Sequence, residues 1–63
     1  MALVNLFRRA AEIIERDAAA LAQSHTVNGR WRIDCPADRQ AKHDVTEAME
    51  IARWLRRLDR AGT

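Results

Sequence analysis

Between Ala37 and Arg60 the chain places apolar residues on two stripes of one helix, and a single neighbouring helix hides only one of them. At about 100° per residue, Ala41, Val45, Ala48, Ala52 and Leu55 align as the first stripe. Ile51, Trp54 and Leu58 form a second, displaced by roughly 80–100°. The 63-residue chain has few other elements with which to cover both. A chain of this length buries only about 60% of its unfolded surface and is marginal as a monomer. One cysteine excludes an internal disulfide, and Cys35, His25 and His43 lack the number and spacing of a structural zinc set. Self-association is the remaining way to add buried surface.

The segment from Leu3 to Ser24 repeats apolar residues at Leu3, Leu6, Phe7, Ala10, Ile13, Ile14, Ala18 and Leu21, the three-and-four spacing of an amphipathic helix. Asn5, Arg8, Arg9, Glu12, Glu15, Arg16 and Gln23 fall opposite, so the first helix, about 3–24, presents one apolar face to the second. Asp17 interrupts that face. Residues 25–35 break the period around Asn28-Gly29, a pair suited to positive φ. A miniature hairpin fits the β-forming residues on either side, but two isolated strands are marginal, so an ordered loop folded around a turn is expected. Val27, Trp31 and Ile33 are expected to tuck against the helices. Asp34 or Cys35 then caps a second helix, about 36–60, with Pro36 in its first turn, Asp38 at its positive end and Gly62 ending it. The expected fold is all-α: one domain, 1–63, an antiparallel two-helix hairpin pairing with a second copy into a four-helix arrangement.

Hydrophobic content of 48% excludes a wholly disordered chain. No apolar run approaches the 18–20 or so residues of a membrane span, and Arg8, Arg9, Glu12, Glu15 and Arg16 interrupt any signal-like start. A cytoplasmic location is expected. A first helix lying on lipid ranks last, because its polar face mixes acids with bases.

The hairpin topology brings Arg8 and Arg9 to the same end as Arg53, Arg56, Arg57 and Arg60, a basic pole. Helix-end cations complement the dipole, and Glu12, Glu50 and Asp59 supply nearby counter-charges, so a solvated, paired surface accounts for much of it. Nucleic acid is the second reading for this pole, but the chain has no third helix for a helix-turn-helix and no zinc finger. His43 and Glu47 stand one helical turn apart and are placed to pair. No catalytic triad, carboxylate pair, phosphate loop or metal-ligand spacing is present, so neither an enzyme nor a cofactor is expected. The expected binding and dimerisation surface is Ile51, Trp54 and Leu58, with Glu47, Arg53 and Arg57 at its rim.

The run Ser24-His25-Thr26-Val27-Asn28-Gly29-Arg30-Trp31, followed by Asp34-Cys35-Pro36-Ala37-Asp38 and Ala41-Lys42-His43-Asp44, resembles small accessory proteins of Mu-like temperate phages and prophages. The match covers about a third of the chain. A small helical phage protein of this general kind binds host regulators, including a LuxR-type quorum-sensing activator and a type IV pilus assembly ATPase. The resemblance implies a phage-type anti-activator that inhibits a host protein in the bacterial cytoplasm. It assigns no residue roles.

Overall fold

The computed structural model describes residues 4–61. In chain order these form α1 (Val4–Ser24), β1 (Thr26–Val27), β2 (Arg30–Trp31) and α2 (Pro36–Ala61). Both helices end within a residue of their expected limits. Leu3 and Gly62, expected at the outer ends of the helices, lie outside the described residues.

The start of α2 follows from its first four residues. Cys35 is the cap: its carbonyl accepts from the backbone N–H groups of Asp38 and Arg39 at 3.1 and 3.3 Å. Pro36 takes the first helical position, where an N–H has no partner to lose. At the end of α1, the Ser24 hydroxyl donates to the Ala20 carbonyl and the His25 N–H to that of Ala22.

The connecting segment turns at Asn28-Gly29 as expected but is a hairpin rather than an ordered loop without strands. β1 and β2 pair antiparallel, Thr26 opposite Trp31 and Val27 opposite Arg30, so a two-stranded element interrupts the otherwise helical chain. Its turn residues, Asn28 and Gly29, have φ of 54° and 78°. Positive φ at both central positions is the type I′ requirement, whose twist matches that of the strands. The hairpin persists despite its length because it is anchored: the Arg32 N–H donates to the His25 carbonyl at 2.9 Å, and Trp31 is half-buried as expected. Val27 and Ile33 do not tuck against the helices; they remain 55% and 58% exposed. Gly29→Ala meets no atom within 4 Å, so its cost is backbone strain alone. It should lower stability by about 1–2 kcal/mol, read as an earlier thermal or urea midpoint.

The helices pack against each other as a hairpin. Arg8 with Asp59 and Glu15 with Arg56 pair across the helices, and His25, just after α1, pairs with Asp38 of α2 at the loop end. The seam between them is made of alanine. Ala11 and Ala18 are buried on α1, and Ala41 and Ala52 on α2, with Val45, Ala48 and Leu55 half-buried along the same line. Small side chains let two helices approach closely, but they fill little volume. Among the described residues no large side chain is fully buried. The molecule is a rod, 44 × 16 × 14 Å, with a radius of gyration of 14.0 Å. A compact chain of this length has about 11 Å.

Candidate functional site

The alanine seam decides which apolar residues are left over. Taking the buried Ala11–Ala18 line as reference, helical geometry places Phe7 about 30° and Leu6 and Ile13 about 130–150° to one side on α1, with Glu15 about 50° to the other. From the Ala41–Ala52–Asp59 line on α2, Ile51, Leu58 and Trp54 lie about 85–145° to one side and Arg56 about 55° to the other. Glu15 and Arg56 bridge the helices at 2.7–2.8 Å and so mark one side of the hairpin. Leu6, Phe7 and Ile13 therefore share the opposite side with Ile51, Leu58 and Trp54.

Of the three apolar residues expected to be exposed, Trp54 and Ile51 are, at 55% and 44%. Leu58 is not; it is half-buried between the exposed edges, like Ile14, Leu21 and Leu55. The expected site also omitted α1. The apolar face of α1 is expected to lie wholly against α2, yet Leu6, Phe7 and Ile13 are exposed. The available signal was Ala11: an alanine stripe through Ala11 and Ala18 competes with the bulkier stripe for the seam, and the smaller one packs there. Towards the loop this side turns acidic, with Asp17, Asp44 and Glu47 exposed. Glu47 thus borders the patch, whereas Arg53 and Arg57 lie further round α2.

Those two arginines belong to the basic pole. Arg8, Arg53, Arg56, Arg57 and Arg60 surround a depression of about 530 Å³ whose wall includes the buried Asp59. Arg9 lies outside it and pairs with Glu12 at 3.7 Å. Arg8 reaches Asp59 at 3.2 Å, which compensates the burial of that carboxylate. Only Oδ2 is engaged; among the described residues Oδ1 has no hydrogen-bond partner. The two-pronged hydrogen bond from Arg56 holds the Glu15 carboxyl below its ordinary value, and Glu15 in turn raises Arg56. Arg8 and Arg56 therefore clamp the open end of the hairpin, while Arg53 and Arg57 border the depression without an ion pair to any described residue.

At the other end, Asp38 joins the loop to α2. His25 Nδ1 lies 2.8 Å from its Oδ1, and the Cys35 thiol donates to Oδ2 at 3.3 Å. These bonds, that from His25 foremost, hold the Asp38 carboxyl below its ordinary value. The arrangement is not that of a thiol nucleophile, because Cys35 faces a carboxylate and not an imidazole base. Among the described residues no group of three or more His, Cys, Asp or Glu is placed to hold a metal ion. His43 and Glu47 do not form the pair their spacing allows. With a depressed folded value, the Asp38 contribution to stability is present above the ordinary carboxylate value of 3.8 and is lost as pH falls through the folded value. Asp38→Asn should therefore melt earlier than the parent at about pH 7, and the gap should close below about pH 4. A gap independent of pH would contradict this role.

No helix among the described residues is long and apolar enough to cross a membrane. Comparison with protein-family models, curated proteins and solved structures found no match to this chain.

Proposed function

We propose that this chain is a non-enzymatic binding protein that works as a homodimer and acts by occupying a surface of another protein. One observation carries the reading: Leu6, Phe7, Ile13, Ile51 and Trp54 are exposed on the same side of a hairpin in which, among the described residues, no large side chain is fully buried. A second copy covers this side on both molecules at once. In the antiparallel four-helix arrangement the overlap is through the terminal halves, because Asp17, Asp44 and Glu47 make the loop halves of the same side acidic. Trp54 and Ile51 then stand as anchors, since large apolar side chains dominate interface energetics while rim charges set orientation.

The resemblance of residues 24–44 to phage accessory proteins makes a bacterial regulator in the host cytoplasm, a LuxR-type activator, the first candidate for inhibition. The test is direct: titrate the purified protein into such an activator bound to its operator. Release of operator at near-stoichiometric protein supports an anti-activator. Operator binding untouched by excess protein contradicts that target. The alternative, a nucleic-acid-binding regulator using the arginine pole, loses ground because Arg8, Arg9 and Arg56 are engaged by Asp59, Glu12 and Glu15.

A further inference from the structure

The side of α2 away from the apolar patch is lined by cations. Arg39, Lys42, Arg53, Arg57 and Arg60 fall within about 60° of one another round the helix, and Glu50 stands only at the border of that sector. Lys42, Arg53 and Arg57 are exposed and make no ion pair with any described residue. Arg39 is exposed too, and its guanidinium donates to the Ile33 carbonyl at 3.3 Å, tying the chain before α2 to that helix.

The cations form two clusters. Near the loop, Arg39, Lys42 and His43 border a depression of about 540 Å³ together with Thr46 and the exposed Ile33. About 16 Å further along α2, Arg53 and Arg57 border the arginine-lined depression. Thr46 and the exposed Met49 occupy the interval.

We infer that this outer side of α2 is the docking surface for an acidic amphipathic segment of a partner protein, with carboxylates near both ends and apolar residues between. The inference rests on the reading that the protein acts by occupying another protein, and it names the chemistry of what is occupied. Charge complementarity fixes the sign of the partner. The apolar contributions fix its class: Ile33 and Met49 gain by covering apolar side chains, whereas a duplex backbone rewards an uninterrupted row of cations and gains nothing from them. The two clusters span about 30 Å, the length of a helix of about 20 residues. A dimer closed through the apolar side leaves this surface open on both copies.

The probe is a labelled helical peptide of about 20 residues, built from Ala, Leu and Glu with Glu at both ends and a central Leu stripe, followed by fluorescence anisotropy at low salt. Its counterpart carries Lys for Glu, and a duplex of about 20 base pairs serves as the competing anion. The acidic peptide should bind, the Lys peptide should not, and the duplex should bind more weakly. Lys42→Glu and Arg57→Glu should each weaken the acidic peptide about tenfold or more. Arg16→Glu, the same charge change on α1, should leave it within about twofold. Sedimentation of the same variants should keep the mass of the parent, so a failed docking surface and a failed dimer are separable. No binding of the acidic peptide, equal loss from Arg16→Glu, or tighter binding of the duplex would each overturn the inference.

Discussion

Trp54→Ala should weaken self-association by roughly 30- to 1000-fold. The indole is 55% exposed in the hairpin, so covering what remains is worth about 1–2 kcal/mol per copy. An isologous interface contains the residue twice, which doubles the loss to about 2–4 kcal/mol. Ile51→Ala should act in the same direction with a smaller effect, because less area is at stake. Helix content at high protein concentration should be retained in both, since neither side chain lies in the alanine seam. If Trp54→Ala sediments like the parent across the concentration range, the indole is an ordinary surface residue.

Ala52→Leu should have the largest effect on folding itself. Ala52 is fully buried where the helices meet, and a larger side chain forces them apart or off their preferred rotamers at about 1–3 kcal/mol. A chain of this length has only about 3–9 kcal/mol of stability in total. The melting temperature should fall by about 5–20 °C, measured at one fixed protein concentration because a dimer makes the midpoint concentration-dependent. Ala20→Leu, at an exposed alanine of α1, is the control and should move stability by less than about 0.5 kcal/mol. A parent-like melt for Ala52→Leu would mean that the seam is looser than its burial implies.

The helices were legible because their signals are local: three-and-four spacing in α1, Cys35-Pro36 with Asp38 at the start of α2, and Asn28-Gly29 between. The hairpin in the connection is not legible in the sequence because its stability is not local. Two pairs of strand residues do not hold by themselves, and the half-buried Trp31 and the link between His25 and Asp38 are long-range facts. The same limit applies to the seam. Periodicity shows that both Ala11–Ala18 and the flank through Phe7 and Ile14 are apolar, but which one faces α2 depends on how closely two backbones approach. With the alanine line in the seam, Leu6, Phe7 and Ile13 are exposed and join the candidate site. Arg8 with Asp59 and Glu15 with Arg56 are likewise beyond periodicity, and they make two arginines of the pole a clamp. The second stripe of α2 is legible in part: Ile51 and Trp54 stay exposed beside α1, whereas Leu58 is half-buried.

The central claim, that a second copy covers the apolar side shared by both helices, is tested most directly by sedimentation equilibrium of the unmodified protein over a wide concentration range. The predicted result is a species of twice the 7.2 kDa chain mass, dissociating on dilution and much more readily for Trp54→Ala. A folded 7.2 kDa species at every concentration, with Leu6, Phe7, Ile13, Ile51 and Trp54 left in water, would contradict it.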